Sequence, residues 1–369
     1  MIYLDYSATT KPNFEVLNIF TKTAANYFAN PNSKYDIAKE SKTKIDKATR
    51  KLSKLLGVKS SEIIYTSGAS EANNMAIKGL ASKEKRKHII TTPFEHSSIT
   101  APLGYLQSLG YKIDFVKIKS NGEVDLEDLE RLITKDTFLV TIGAVNSELG
   151  FRQPIEKIGK MLKKYNLIFH SDITQLLGKD KFDLTNVDMA SMSAHKIYGI
   201  KGIGALVKKE KINLIPLIHG GKSTTIYRSG TPSTELIVSF RKAIELLLPK
   251  VSKNKRYVQK LNKILIKGLT KYPDIKINSS DISIPQIVNF SILKHKADAI
   301  QRYFSASEVY FSTRTACSSE ADISLAVYKI TNDEQRAASS VRISLSHLTT
   351  IKEIKEFLKI LSKYMEKKI

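Results

Sequence analysis

Phe138-Leu-Val-Thr-Ile-Gly-Ala-Val145, followed by the stretch from Pro154 to Tyr165 and then by Leu167-Ile-Phe-His170, decides the architecture. A short β-rich apolar run, an amphipathic stretch and a second apolar run read as strand, helix and strand. The same alternation extends in both directions. Upstream, Glu62 to Tyr65 reads as a strand, a helix starts at about Ser70, His88 to Thr92 is a strand, Ile99 to Leu109 a helix, and Tyr111 to Ile118 alternates as a strand does. Earlier still, Ile37, Ala38, Ile45, Ala48, Leu52, Leu55 and Leu56 recur at helical spacing and stop at Gly57, a residue suited to the position just past a helix end. Downstream, Met189 to Met192 and Gly202 to Val207 read as strands and Glu235 to Leu248 as a helix. Strands that alternate with helices predict an α/β fold with a largely parallel sheet.

At Pro249 and the run from Lys250 to Lys255 the character of the sequence changes, which places a domain boundary near residue 250. Beyond it, Gln286 to Ile292, Val309 to Ser312 and Val341 to Ser346 read as strands, Ala297 to Phe304 as a helix, and a long helix starts at about Ile351. With 369 residues, 42% of them hydrophobic, the chain can bury two sizeable cores, so disorder and a disulfide-stapled miniprotein are excluded. A single cysteine, Cys317, makes neither an internal disulfide nor a cysteine-rich metal site, and no metal is expected. No apolar run reaches the roughly 18 residues of a membrane span, and Met1 to Tyr6 opens on a short strand rather than a leader. A soluble, cytoplasmic protein is the expectation.

The formal net charge is +23, and lysine supplies nearly all of it, 48 Lys against 11 Arg. The lysines are assigned to helices spanning Lys39 to Lys59, Lys83 to Lys87 and Lys250 to Lys267, with few aromatics between them. Phosphate and base recognition favours clustered arginine with stacking partners. The charge therefore reads as a solvated lysine surface, with direct nucleic-acid binding the less favoured reading.

Three segments point to chemistry. Ser191-Met-Ser-Ala-His-Lys-Ile-Tyr-Gly-Ile-Lys-Gly202 lies between two strands and places Lys196 at a strand end, where partial burial and a cationic neighbour favour a nucleophilic amine able to form a Schiff base. Thr66-Ser-Gly-Ala-Ser-Glu71 joins a strand to a helix, and the free N–H groups of the helix start could bind phosphate. Leu167-Ile-Phe-His-Ser-Asp172 closes a strand on a carboxylate that could pair with a protonated pyridine nitrogen. A phosphate cup, a pyridinium partner and a Schiff-base lysine are what pyridoxal phosphate needs.

On these residues the chain resembles the cysteine desulfurases, class V members of the fold-type I pyridoxal-phosphate enzymes. The resemblance runs from Tyr3-Leu-Asp-Tyr-Ser-Ala-Thr-Thr10 to Val341-Arg-Ile-Ser-Leu345, through Thr66 to Asn73, Glu95-His96, Val145-Asn-Ser-Glu-Leu-Gly150, His170-Ser-Asp-Ile-Thr-Gln175, Ser193-Ala-His-Lys-Ile-Tyr-Gly199, Arg228-Ser-Gly-Thr231 and Ala316-Cys317. It implies a large cofactor-binding domain over 15–250 with a mostly parallel seven-stranded sheet. A smaller α/β domain would be made of 1–14 and 251–369 and carry the cysteine loop. Lys196 would hold the cofactor, Asp172 would keep its ring nitrogen protonated, Gln175 would bond its phenolic oxygen, and His96 would stack on the ring and assist proton transfer. Ser70, Ser193 and His195 would bind the phosphate, with Thr231 reaching it from the partner subunit of a homodimer. Asn146, at the cofactor, and Arg342 would orient the carboxylate of L-cysteine. Cys317 would take the sulfur as a persulfide and pass it to an acceptor, an iron–sulfur scaffold or a tRNA-thiolating enzyme. The rivals are a selenocysteine lyase or another class V enzyme, and a scaffold or RNA-binding protein that has kept only the fold.

The sequence departs from the family pattern in three places. His219-Gly-Gly-Lys-Ser-Thr-Thr-Ile226-Tyr227 replaces a glycine-rich segment, with Lys222 for a glycine and Thr225 for an arginine. Asn30-Pro-Asn-Ser-Lys-Tyr-Asp36 lacks the histidine that commonly follows, and Arg314 stands where glycine is usual. These changes leave the cofactor residues intact and touch the parts that deal with substrate and assembly.

Overall fold

The scaffold of the chain, in a computed structural model that describes residues 1–313 and 323–366, is a seven-stranded sheet wrapped by helices. The chain starts with β1 (Ile2–Tyr3), α1 (Phe14–Asn26) and α2 (Asp36–Leu56). There follow β2 (Ile63–Thr66), α3 (Ala69–Ala81), β3 (His88–Thr91), α4 (Ser97–Ser108), β4 (Lys112–Phe115), α5 (Leu126–Leu132) and β5 (Thr137–Thr141). Next are α6 (Ile155–Leu162), β6 (Ile168–Asp172), β7 (Met189–Ser193), β8 (Gly204–Lys208) and α7 (Thr234–Leu247). The remainder is α8 (Val251–Leu269), β9 (Ile275–Ile277), β10 (Ile287–Ile292), α9 (Ala297–Ser305), β11 (Val309–Tyr310), α10 (Leu325–Thr331), α11 (Glu334–Ala338), β12 (Ser340–Ser344) and α12 (Ile351–Glu366).

Strand order in the large sheet is β2-β8-β7-β6-β5-β3-β4. The four pairings from β7 to β4 are parallel, and β8 runs antiparallel to both its neighbours. Strands β5, β7 and β8 are buried along their whole length, as helices on both faces require of a parallel sheet. The parallel run aligns the carboxyl ends of β5, β6 and β7, so Gly143, Asp172 and Ser193 arrive at one edge, where open α/β sheets bind their ligands.

Local chemistry sets the flanking helices. In α2 the buried residues Ala38, Ile45, Ala48, Leu52 and Leu56 form one face. Gly57 ends the helix at φ 68°, with Val58 N–H donating to Ser53 O at 3.0 Å, a left-handed stop that glycine adopts without strain. The lysine run 83–87 is not helical: it forms the turn between α3 and β3, because no apolar face backs those lysines. The alternating run 111–118 pairs as a strand only over Lys112–Phe115.

A second apolar cluster forms around Leu4, Val258, Leu261, Phe290, Phe304, Ile343 and Phe357. It is built on the antiparallel sheet β12-β10-β9 and on the parallel pair β1-β11, so the first residues of the chain pack with the last. Asp5 continues β1 into a bridge with Ser344.

One contact ties the sheet to the start of α3. A Cβ on Gly204 would lie 2.4 Å from Met192 O and 2.7 Å from Gly68 Cα. Gly204→Ala is therefore expected to lower stability by roughly 1–3 kcal/mol, because backbone on both sides must move. Chemical denaturation of the two proteins reads the difference.

Candidate functional site

At the carboxyl edge of the sheet lies a cavity of about 630 Å³. Of the residues singled out in the sequence, Ser70, Ser193 and His195 border it, as do His96, Asp172, Gln175 and Lys196, and so do Asn146 and Arg342. Thr231 is exposed and does not border it. Cys317 and Arg314 lie outside the described residues.

Asp172 is the last residue of β6. Its Oδ1 accepts from Thr174 N–H at 2.9 Å and its Oδ2 from Asn73 Nδ2 at 2.8 Å, so the carboxylate is held by two donors. Asn73 is fully buried on α3, and its second N–H reaches Ser98 Oγ at 2.8 Å.

Lys196 sits on a short 3₁₀ turn that follows β7. Its Nζ donates to Ser7 O at 2.5 Å and Ala8 O at 2.6 Å, both in the segment after β1. Gln175 Nε2 donates to the same Ser7 carbonyl at 2.9 Å, and Gln175 Oε1 accepts from Lys179 Nζ. Burial, together with the positive charges of Lys196 and Arg342, pulls the Lys179 amine well below its ordinary value.

Two histidines border the cavity, and burial lowers the pKa of both. Burial, reinforced by Lys196, Lys201 and Lys179, brings His195 down to about 4. His96 caps α4, its Nδ1 accepting from Ser98 N–H at 3.1 Å. Its pKa is lowered by burial, with Lys196 adding to that and Asp172 opposing it. Beside it, burial pushes Glu95 up to about 7, although Gly143 N–H and Thr92 Oγ donate to its carboxylate. Glu95 ties the loop that carries His96 to the end of β5.

Arg342 is 2% exposed on β12. One terminal nitrogen donates to Asp5 Oδ1 at 2.7 Å, the other to Ser147 O at 3.0 Å, and its Nε is a buried donor with no hydrogen-bond partner among the described residues. Asn146 differs from expectation in its freedom: its Oδ1 accepts from Glu148 N–H and Leu149 N–H, and its Nδ2 donates to Phe94 O. The side chain shapes the 146–150 turn and has one N–H left for a ligand.

The phosphate end is the start of α3, whose N-cap is Gly68 and has no side-chain cap. The first N–H groups of a helix lack intrahelical partners and attract an anion. Nearby Glu71 is held by Ser67 N–H and Arg228, which outweigh its burial and keep it ionised.

Sequence reasoning did not single out Asn73, Ser98, Asp5, Glu95 or Lys179 as site residues. Asn73 alone left a trace, a polar residue amid Ala72, Met75, Ala76 and Ile77 on a buried helix face.

The donor set fits pyridoxal phosphate. An uncapped helix start with two hydroxyls offers a phosphate cup, Asp172 offers a carboxylate that can only accept, and Lys196 offers an amine on the same cavity. Three buried donors at the cavity wall, Ser7 Oγ, Thr174 Oγ and Arg342 Nε, have no partner among the described residues. Fold and site together define the fold-type I class of pyridoxal-phosphate enzymes. The aminotransferase class-V family pattern matches residues 2–357. The chain is 36% identical over 373 residues to the cysteine desulfurase IscS of Dictyoglomus turgidum, covering 99% of this chain and 95% of that protein. It is 34% identical to the mitochondrial cysteine desulfurase of Arabidopsis thaliana, over 99% of this chain and 83% of that one. Among solved structures, a NifS-like protein superposes with a TM-score of 0.93 at 34% identity over 99% of each chain. SspA in complex with cysteine does so with a TM-score of 0.84 at 33% identity, over 95% of this chain and all of that one. The chain belongs to the class-V aminotransferase family and, within it, to the cysteine desulfurases.

Proposed function

We propose that this chain converts L-cysteine to L-alanine and transfers the sulfur to Cys317 as a persulfide. The observation that supports this most is the convergence on one cavity of Asp172 from the end of β6, Lys196 from the turn after β7 and Arg342 from the middle of β12. Pyridoxal phosphate, when bound, supplies an electron sink that loosens the bonds at the substrate Cα. Asp172, fixed by Asn73 and Thr174, would serve as the acceptor for the ring nitrogen. Ser70, Ser193 and the N–H groups of α3 would hold the phosphate, with neutral His195 beside them. Lys196 Nζ would hold the cofactor, and its amine is the group placed to take the proton from the substrate Cα. The substrate carboxylate docks on Arg342, whose Nε is the unfilled donor, and on the remaining N–H of Asn146. Gln175 would offer its second Nε2–H to the phenolic oxygen.

The sulfur step balances as cysteine plus the Cys317 thiol giving alanine plus the Cys317 persulfide. The Cys317 thiolate attacks the substrate sulfur, the carbon–sulfur bond breaks, and protons replace sulfur on the substrate carbon and cap the new persulfide. Iron–sulfur cluster assembly is the destination we favour, since several relatives are named cysteine desulfurase IscS.

The protein acts as a homodimer in this reading. The segment from α1 to the start of α2 leaves Phe14 79% and Phe28 77% exposed along with Tyr35 and Ile37, and exposed Thr231 would complete the partner's phosphate site. No described helix is long and apolar enough to cross a membrane, and we place the protein in the cytoplasm.

Alanine released from L-cysteine by the purified, cofactor-loaded protein with a reductant is the direct test. Stoichiometric alanine is expected, and Cys317→Ser should reduce it to background. Undiminished sulfur release by Cys317→Ser would sink the persulfide route, and turnover of L-selenocysteine alone would reassign the substrate.

A further inference from the structure

We propose that Ser98 is a positioning residue for His96, the last link of a hydrogen-bonded chain that begins at Asp172 and holds the imidazole with its proton on Nε2. The inference rests on the reading of Asp172 and His96 as cofactor neighbours, and it follows from counting donors and acceptors. An ionised carboxylate only accepts. Asp172 Oδ2 lies 2.8 Å from the Asn73 side-chain amide, so that amide must turn its NH₂ toward it. The second hydrogen of the same NH₂ points to Ser98 Oγ, also at 2.8 Å. Ser98 Oγ thereby receives one hydrogen and has its own to give, and His96 Nδ1 lies 2.8 Å away. The backbone N–H of Ser98, which can only donate, reaches the same Nδ1 at 3.1 Å. Two donors on Nδ1 leave it unprotonated, and a neutral imidazole then has its proton on Nε2.

The consequence is a division of labour. His96 borders the cavity with Nδ1 already occupied, so its remaining polar atom is an N–H donor. His96 gives a hydrogen bond or a proton to what lies over it, and Lys196 is the group left to take one. Among the described residues, Asp172 and Lys196 are charged groups that act on the ring, with Glu95 adjacent in the chain, and burial disfavours the imidazolium. Asn73 makes the arrangement stiff, because it is fully buried and its rotation would set an amide oxygen against the Asp172 carboxylate.

The test reads the ring directly in the full-length, cofactor-loaded protein grown with ¹⁵N-histidine. Long-range ¹H–¹⁵N spectra distinguish the two tautomers, and His96 is assigned by its loss in His96→Gln. At neutral pH a pyridine-type Nδ1 and a protonated Nε2 are expected. A protonated Nδ1, or an imidazolium, would overturn the proposal. Ser98→Ala removes one of the two donors, so the Nε2–H form should lose its dominance and kcat should fall about fivefold with KM little changed. Ser98→Thr, which restores a hydroxyl, should recover both. An alanine variant that matches the parent in tautomer and in kcat would show that the hydroxyl positions nothing. The spectra do not depend on turnover, so a protein with the expected tautomer but no alanine formation would sink the proposed reaction and leave the chain of bonds standing.

Discussion

Lys196→Ala is expected to abolish alanine formation and the visible absorbance of the covalently held cofactor, while the protein stays folded. The amine is both the anchor of the cofactor and the base at Cα in the proposed reaction. Loss of a positioned base alone lowers rates by about 10²- to 10⁴-fold, and loss of the anchor adds to it. A residual rate below roughly 10⁻⁴ of the parent is the expectation. Stability should suffer little. The side chain leads into the cavity from a 3₁₀ turn rather than from the core, and the carbonyls of Ser7 and Ala8 that it leaves border the same cavity, where water can replace the lost donor. Rate, absorbance and unfolding midpoint measured on one preparation separate these effects. Turnover within tenfold of the parent would remove Lys196 from the chemistry.

Elements with a local cause were legible in the sequence, and elements with a distant cause were not. Helix α2 was readable because its buried face recurs every three or four residues and Gly57 supplies a left-handed stop. Asp172 was readable because it closes a strand that opens on an apolar run, and Lys196 because its segment falls between two strands. Helix α1 left no such pattern: Phe14 and Leu17 are exposed, and only Val16 and Thr23 are buried. The run 83–87 looked helical because lysine suits helices, but propensity without an apolar face does not fix a helix. The second layer of the site was invisible for a different reason. Asn73 meets Ser98 across 25 positions and Asp172 across 99, and Asp5 meets Arg342 across 337. Nothing in the spacing of one segment announces a partner that only the folded sheet delivers. The resemblance to a family supplied Arg342, and the structure alone supplied Asp5, which fills one terminal nitrogen of the guanidinium and leaves Nε for a ligand.

Asp172→Asn, nearly isosteric, is expected to lower kcat by roughly 10²-fold or more and to cost stability as well. The rate effect comes from charge. A carboxylate opposite the ring nitrogen favours the protonated ring, whereas a neutral amide does not, and removing one preorganised electrostatic group from an enclosed site costs on the order of 10²- to 10³-fold. The stability effect comes from the hydrogen-bond count. Both carboxylate oxygens accept, one from Thr174 N–H and the other from Asn73 Nδ2. An amide has one oxygen, so either orientation turns its NH₂ toward a donor. Asn73 could reverse to accept that NH₂, but it would then present an oxygen where Ser98 Oγ now receives a hydrogen. One bond is lost in every arrangement, which costs about 1–3 kcal/mol for a buried donor left unpaired. The variant should therefore unfold earlier than the parent, bind cofactor and turn over slowly. It should also disturb the His96 tautomer, since the acceptor that orients Asn73 and Ser98 is gone. A variant with kcat within threefold of the parent would mean that the Asp172 charge does not act on the ring. A variant that is slow but keeps His96 entirely as the Nε2–H form would separate the two roles, leaving the charge at the ring nitrogen and assigning the tautomer to the backbone N–H of Ser98 alone.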